Sequence, residues 1–265
     1  MENTSTLIGE RLRDWRQRRR LSQMDLALDA EISTRHLSFL ETGRSTPSRD
    51  MVLRLAEQLD VPLRERNAML LAAGYAPVFS DRPLDHAALQ PARLAIEALL
   101  KAHEPFPALA IDRHWNLIAA NRALAPLIDG AAPWLLEAPV NVLRLSLHPE
   151  GIAPRIDNLA QWRRHLLHRL RHQFEATGDA IIDALIKELS AYPHPAERSS
   201  DTPDASAIAV PLRLKTPDSV LSFISATMVF GTPLDVTMSE LAIETFLPAD
   251  EATAATLRRQ TVQAA

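Results

Sequence analysis

Four polar or basic side chains crowd into the segment AEISTRHLSFLETGR, residues 30–44: Ser33, Thr34, Arg35 and Ser38. The apolar residues of the segment fall at helical spacing, so they can pack inward while the polar ones face outward. Hydroxyl groups donate and accept hydrogen bonds, and a guanidinium donates two parallel bonds to a pair of acceptors. The segment therefore offers hydrogen bonds to a partner outside the fold.

Helical signals precede this segment. Ile8, Leu12 and Trp15 have the spacing i, i+4, i+7 of a first helix, and a run of arginines follows them. Ser22 and Asp25 form an S-x-x-D variant of the capping box, which opens a second helix through residue 30. The order of these elements predicts two short helices before the polar segment.

Further helices follow the same rules. A third is predicted over residues 33–41, and Gly43 ends it. Ser48 precedes a fourth helix, and Pro62 begins a fifth that reaches Gly74. Five short helices predict an all-α domain over residues 1–76, in which the second and third form a helix-turn-helix that offers the third to the major groove of DNA.

The text LSQMDLALDAEISTRHLSFLETGRSTPS resembles the helix-turn-helix of the lambda and 434 repressor (Xre) class in its Gln, Leu-Ala, Ile-Ser and Leu-Glu-x-Gly-Arg positions. The resemblance implies DNA phosphate contacts from Ser22, Gln23, Thr42 and Arg44. It implies base contacts from Ser33, Thr34, Arg35, Ser38 and Phe39. Of these, only Arg35 can grip guanine O6 and N7 with two bonds.

The turn of the motif departs from the class pattern. Glu31 occupies the place where the class usually has glycine in the left-handed region. A residue with a side chain there costs about 1 kcal/mol. We therefore expect a positive φ at Glu31.

The rest of the chain changes in character. Residues 77–90 lose periodicity and are predicted to be a linker, and residues 91–265 are predicted to form an α+β domain around an antiparallel sheet. We expect strands on both sides of a turn at Arg113-His114, and three more strands after an exposed loop over residues 191–204. The predicted ranges of those three strands are 207–214, 220–230 and 240–246, and a helix capped by Asp250 follows.

Two motifs of this domain, IDRHWNLIAANRALAPL and FGTPLDVTMSELAIETFLPADEATAATLRR, resemble the ligand-binding domain of MmyB-like transcription regulators. The resemblance implies a PAS-like fold and a fatty-acid-like or other apolar ligand. Large apolar side chains could line its pocket, although each could equally be ordinary core. The candidates are Trp115, Leu117, Trp134, Leu143, Phe223, Met228 and Phe230.

Polar residues near the hairpin leave alternatives open. Arg113, His114 and Asn116 could orient a head group, whereas Asp112 and Asn121 are expected to cap local turns. A metal site is not expected, because three ligands on one helix rarely converge on one ion. The histidines concerned lie in a basic run that could instead contact DNA or a partner subunit: His165, His168 and His172.

Composition limits the remaining classes. The 265 residues contain 7 Gly and no Cys, and they hold no G-x-S-x-G elbow and no phosphate-binding glycine loop, so we expect no enzyme, no thiolate metal site and no required cofactor. The longest mostly apolar run, residues 221–230, is too short to span a membrane, and we expect a cytoplasmic protein. Residues 1–80 carry 12 Arg against 11 acidic residues. The remainder carries 17 Lys and Arg against 22 acidic residues, so neither part is strongly basic.

Together these features predict a DNA-binding transcription regulator that binds a palindromic operator as a homodimer and responds to a small-molecule effector. The effector would act by shifting DNA affinity, because two linked binding equilibria change each other by the same factor. Two alternatives stay open at this stage: a protein-interaction module, and a dimeric regulator that needs no effector.

Overall fold

The computed structural model describes residues 4–193 and 209–263. The chain divides into two compact units, which we describe separately. The helical unit contains Met1–Pro83 together with Glu175–Thr177 and Thr232–Ser239. The sheet unit contains Leu84–Phe174, Gly178–Gly231 and Glu240–Ala265.

Five helices build the first 83 residues of the helical unit, as the sequence predicts. They are α1 Thr4–Arg18, α2 Gln23–Asp29, α3 Thr34–Glu41, α4 Arg49–Gln58 and α5 Leu63–Ala72. Their apolar stripes form one core, whose fully buried members include Ile8, Leu12, Leu37, Leu40 and Leu55. The predicted all-α class of this part of the chain is confirmed.

Serine caps define where three of these helices begin. The Ser22 Oγ accepts a hydrogen bond from the Asp25 amide while the Asp25 carboxylate accepts from the Ser22 amide, so the predicted capping box is present. The hydroxyls of Ser33 and Ser48 cap α3 and α4 by accepting hydrogen bonds from the amides of His36 and Met51. Each cap satisfies an amide that the first helical turn leaves without a partner.

Helices α1 and α3 approach each other closely at Gly9. A Cβ atom at that position would lie 2.5 Å from the Leu40 carbonyl oxygen and 2.8 Å from that of Glu41. Only glycine leaves room for this approach. The main chain of α3 therefore lies directly against α1.

The sheet unit contains five antiparallel strands in the order β2-β1-β5-β4-β3. They are β1 Ala108–Ile111, β2 Leu117–Ala120, β3 Leu212–Lys215, β4 Val220–Val229 and β5 Ala242–Pro248. Strand β3 shows the buried and exposed alternation of a strand with one face on the core, whereas β1 is buried throughout. The predicted α+β class with an antiparallel sheet is confirmed.

Helices of the sheet unit pack against this sheet and against one another. They are α6 Gln90–Ala102, α7 Ala125–Ile128, α8 Val142–Leu147, α9 Leu159–Thr177, α10 Ala180–Ala191 and α12 Glu251–Gln263, with the short α11 Val236–Ser239 assigned to the helical unit. One core joins side chains of β1, β3 and β4 to those of α8, α9 and α10. Gly178 ends α9 in the left-handed conformation, and Asp179 caps α10.

Some predicted boundaries differ from the structure. The third strand begins at Leu212 rather than at residue 207, and residues 207–208 lie outside the described part. Most of the predicted loop over 191–204 also lies outside it. The helix expected near residue 120 starts with a 3₁₀ turn at Arg122–Leu124.

Asn121 directly precedes this 3₁₀ turn, but its side chain makes no cap hydrogen bond to it. Its side chain accepts from the Ala108 amide and donates to the carbonyls of Leu100 and Phe106, so it ties the hairpin to α6 and does not cap a helix.

Candidate nucleic-acid interface and ligand cavity

Helix α3 has two chemically different faces. Leu37, Leu40 and Glu41 are buried on its inner side. Thr34 and Arg35 are exposed, and Ser38 is half-buried beside them. A row of hydrogen-bonding side chains thus faces away from the core, which is the arrangement a recognition helix needs.

Phe39 brings two of the predicted DNA contacts together. The guanidinium carbons of Arg35 and Arg44 lie 5.3 and 5.9 Å from the centroid of its ring. Both distances allow cation–π attraction, which holds each charged group on the outer surface. Phe39 itself is half-buried. Its ring therefore serves as a platform between the two arginines.

The other predicted phosphate contacts also take part in the fold. The Ser22 hydroxyl caps α2, and the Gln23 amide nitrogen donates to the Glu41 carboxylate at 2.8 Å. The Thr42 hydroxyl donates to the Ser38 carbonyl at 2.7 Å at the end of α3. The Ser33 hydroxyl, a predicted base contact, caps α3. Ser22, Gln23 and Ser33 lie at the N-terminal ends of α2 and α3, where backbone amides point outward. Thr42 lies at the C-terminal end of α3.

Glu41 joins α3 to α1 and α2. The side chain of Glu41 is fully buried. Its carboxylate accepts hydrogen bonds from Nε and Nη2 of Arg16 at 2.6 and 2.9 Å. Burial alone would raise the pKa of Glu41. The hydrogen bonds from Arg16 and Gln23, with the nearby charges of Arg16 and Arg13, outweigh burial and hold that pKa below its usual value. The carboxylate is therefore ionised at neutral pH and fixes the inner face of α3.

The turn of the motif has the conformation that the sequence predicts. Glu31 adopts φ 55°, in the left-handed region, although it carries a side chain. The amide of Ile32 donates to the Ala27 carbonyl across this turn. The strain of the turn is offset by that bond and by the packing of Ile32 against the core.

An apolar cavity of about 80 Å³ lies inside the sheet unit. It is bounded by β1, β2, β3 and β5 on one side and by α7, α8 and α9 on the other. Pockets that bury a drug-sized ligand measure roughly 300–1,000 Å³. The side chains that line this cavity therefore fill most of the space that a drug-sized ligand would need, and such a ligand must displace some of them.

The cavity wall contains two charged residues, Arg169 and Glu244. Nη1 and Nη2 of Arg169 donate to the two carboxylate oxygens of Glu244 at 3.2 and 2.6 Å. Thr227 accepts from Arg169 and donates to Glu244, and the guanidinium lies 4.7 Å from the ring centroid of Trp115. Helix α9 and strand β5 supply the two charges, which lie far apart in sequence.

The structure brings only some of the predicted pocket residues to this cavity. Trp115, Leu117 and Leu143 line it. Phe223 is buried in the core, where its ring packs edge-on against Phe246. Met228 is 41% exposed, so the structure places it away from the cavity.

Two more of the predicted pocket residues do not line the cavity. Trp134 is 49% exposed and donates to Glu150, and the half-buried Phe230 is absent from the cavity wall.

The candidate head-group residues of the hairpin turn lie elsewhere. His114 pairs with Asp179 at 2.8 Å, and Arg113 pairs with Glu240 at 3.2 Å. Asn116 donates to Asp112, which caps the turn as expected. His114 and Asn116 line a second hollow together with Arg144 and Glu188, which pair with each other. The charged groups of this hollow are thus already paired.

The histidine row of α9 is spread between core and surface. His165 is half-buried, while His168 and His172 are exposed. Among the described residues no group of three or more His, Asp or Glu side chains is arranged to hold a metal ion. No helix within that same part of the chain is long and apolar enough to cross a membrane.

Sequence reasoning missed the Arg169–Glu244 pair and the Ser146 hydroxyl, which accepts from Trp162 Nε1 at 3.1 Å in the cavity wall. Neither belongs to a local motif. The single charged residue of the mostly apolar strand β5 was the only available signal.

Comparisons with known proteins match both units. Residues 92–259, more than half of the chain, match the family model of the MmyB-like transcription regulator ligand binding domain. Residues 7–69 match the model of a helix-turn-helix domain. No curated protein sequence matches the chain.

Two solved structures share a similar segment with the chain. One crystal structure of the clp gene regulator ClgR from C. glutamicum has 23% identity and a TM-score of 0.25, over 28% of this chain and 92% of that one. A second, from Corynebacterium glutamicum, has 22% identity and a TM-score of 0.24, over 38% and 95%. Scores this low support no conclusion.

The two family matches agree with the exposed row of α3 and with the cavity of the sheet unit. They concern transcription regulation and do not indicate an enzyme. The chain belongs to the MmyB-like transcription regulators, and it joins a DNA-binding helix-turn-helix domain to the ligand-binding domain of that family.

Proposed function

We propose that the protein binds a specific operator through the outer face of α3 and that an apolar ligand in the sheet unit modulates this binding. The observation that carries the first part is the division of α3 into a buried inner face and an exposed hydrogen-bonding outer face. The side chains of α3 that do not pack in the core are available to contact DNA.

Within this proposal the residues have two roles. Thr34, Arg35 and Ser38 reach base edges, with Ser33 and Phe39 at their margin, and Arg35 reads guanine. Phosphates are held by Arg44, Ser22, Gln23 and Thr42, which fix the position of α3 without reading sequence.

The protein acts as a homodimer in this proposal. A single helix-turn-helix reads only a few base pairs, and a symmetric dimer reads two half-sites about 34–36 Å apart. Sedimentation of the protein alone and on operator DNA measures the subunit number, and one subunit per operator would contradict the dimer.

The test of DNA recognition starts from an operator selected from random DNA by the full-length protein. Affinities for the operator and for an unrelated duplex are then measured for the wild type, Arg35→Ala, Arg35→Lys and Arg44→Ala. We expect Arg35→Ala to lose about 1–3 kcal/mol on the operator alone, and Arg44→Ala to weaken both duplexes. Arg35→Lys keeps the charge but loses the paired bonds, so it should also lose sequence preference.

Salt dependence separates this proposal from a protein-interaction module. Phosphate contacts make DNA affinity fall steeply as salt rises. Equal losses on both duplexes for Arg35→Ala would remove its base-reading role. No DNA binding, or binding insensitive to salt, would favour an interaction module instead.

We further propose that the ligand is a fatty-acid-like or other apolar molecule, with its apolar chain in the cavity. The support is the wall, which is apolar apart from Arg169, Glu244 and the Ser146 hydroxyl. Native mass spectrometry of the purified protein, followed by denaturation, would report a bound molecule as extra mass that is then lost. Titration with apolar ligands tests the coupling, since a ligand that shifts operator affinity must bind free and DNA-bound protein differently.

The limited free volume favours one second candidate, a dimeric regulator that needs no effector. The side chains leave about 80 Å³ free. If no apolar compound binds and operator affinity never changes on titration, the sheet unit is a dimerisation domain.

A further inference from the structure

The charges of the cavity restrict what kind of ligand it can take. Glu244 is 3% exposed and belongs to β5, inside the sheet. Both oxygens of its carboxylate accept bonds from Arg169, and Thr227 completes a closed ring of three side chains. The positive charge of the wall is therefore already neutralised by a residue that cannot turn toward water.

An anionic head group would have to compete with Glu244 for Arg169. If the head group displaced Glu244 from Arg169, the buried Glu244 carboxylate would lose its cation, which is strongly unfavourable. If Glu244 stayed paired with Arg169, the cavity would hold two negative charges against one positive charge. Both outcomes oppose the entry of a free carboxylate.

Among the described residues that line the cavity, Arg169 is the only cation, so no other positive charge is present to pair with an acidic head group. His165 lies one helical turn before Arg169 on α9. Burial and the charge of Arg169 hold the pKa of His165 below its usual value, so its ring is neutral at pH 7. It does not provide a positive charge for an acid.

A neutral hydrogen bond is available instead. The Ser146 oxygen accepts from Trp162 Nε1 at 3.1 Å, and its own hydroxyl proton has no acceptor in the described part of the chain. Ser146 is 9% exposed and lines the cavity. A hydroxyl placed in this way can donate to a carbonyl or ether oxygen of a ligand.

We propose that the cavity selects an uncharged apolar molecule carrying a hydrogen-bond acceptor, such as an acyl ester or a ketone, and discriminates against the free carboxylic acid. This inference rests on the proposed ligand-binding function and names the chemical class of the ligand. Arg169 and Glu244 act as a filter for charge, and Ser146 orients the acceptor.

The test compares methyl octanoate with octanoate, two compounds that share the same acyl group and differ in charge. Affinities for the full-length protein are measured by isothermal titration calorimetry at pH 7. We expect the ester to bind more tightly by about tenfold or more, since the acid must break a buried ion pair or add a charge. Octanoate binding as tightly as the ester, or more tightly, would overturn the inference while leaving the proposed ligand binding intact.

A variant tests the cause of the selectivity. Glu244→Gln keeps the shape of the side chain but frees the positive charge of Arg169, so the preference for the ester should fall by about tenfold or reverse. Glu188→Gln is a matched control, because Glu188 forms an equivalent paired contact with Arg144 outside this cavity. An equal change in both variants, or in neither, would contradict the assignment.

The remaining outcomes are also decisive. If Glu244→Gln does not fold by circular dichroism, the wild-type comparison decides alone. If neither compound binds and longer esters also fail, the proposed ligand binding is wrong and the inference falls with it. Ser146→Ala should lower ester affinity severalfold, because the ester loses the hydroxyl that donates to its carbonyl oxygen, and an unchanged ester affinity would contradict the role of Ser146.

Discussion

Replacing Arg16 by methionine should loosen the attachment of α3 to α1. The side chain of Glu41 is fully buried and that of Arg16 is 11% exposed. Two hydrogen bonds, at 2.6 and 2.9 Å, join them. In Arg16→Met the carboxylate keeps the bond from Gln23 at 2.8 Å, and Arg13 lies 3.8 Å away. These partners cannot replace the paired bonds that Arg16 donates.

The expected cost follows from the burial. Removing one partner of a buried ion pair costs about 3–5 kcal/mol, because it leaves an uncompensated charge inside the fold. A domain is stabilised by only about 5–15 kcal/mol in total. The double variant Arg16→Met/Glu41→Met removes both charges, so it should lose much less than the single variant. The two effects are therefore strongly non-additive.

Native-state hydrogen exchange of the full-length protein, followed by mass spectrometry, gives the opening free energies of peptides from α1 and α3. The control is Arg11→Met on the same helix, which breaks a surface pair with Glu65 at 3.5 Å between side chains 45% and 34% exposed. We expect its cost to stay below about 1 kcal/mol. A loss this small for Arg16→Met, or additive losses in the double variant, would refute the reasoning.

Three further predictions concern the same unit. Phe39→Leu removes the ring that attracts both Arg35 and Arg44, so operator affinity measured by fluorescence anisotropy should fall by roughly three- to tenfold, whereas Phe39→Tyr should keep it; equal losses would contradict the platform role. Gly9→Ala, which usually stabilises a helix by about 1 kcal/mol, should instead lower the melting temperature, because the added carbon meets a carbonyl of α3; a rise would contradict the close approach. Because the pKa of Glu41 is lowered by folding, the stability it contributes is present above its unfolded pKa of about 4.3 and is lost as pH falls through the folded value; the stability difference between wild type and Glu41→Gln in urea should therefore shrink below about pH 4, and a difference that grows there would contradict the sign.

The helical unit could be predicted well because its signals are local. The capping box at Ser22, the glycine stop at Gly43 and the spacing of apolar residues each act within a few positions of the chain. Even the positive φ of Glu31 follows from its place in the turn. What the sequence did not reveal in this unit was the Arg16–Glu41 pair, whose partners are 25 residues apart.

The residues that line the cavity were harder to predict, because successive side chains of a strand point to opposite faces of the sheet. Phe223 and Met228 lie on one strand and are five positions apart, so their side chains point to opposite faces. Phe223 is buried and Met228 is 41% exposed, as this geometry requires. Large apolar side chains indicate that a core exists, but the strand register decides which of them line a cavity.

The Arg169–Glu244 pair shows the same limit over a longer distance. Its partners are 75 residues apart, one on a helix and one on a strand. No spacing rule joins such positions, and only the folded sheet brings them together.

The close approach at Gly9 has a consequence for how binding specificity can diverge. Main-chain atoms, rather than side chains, set the distance between α1 and α3 at this point, and main-chain atoms are common to every sequence. Substitutions at Thr34, Arg35 and Ser38 leave that contact untouched. In the proposed function, the target sequence can therefore change through substitutions on the outer face of α3 while the packing of α3 against α1 stays the same.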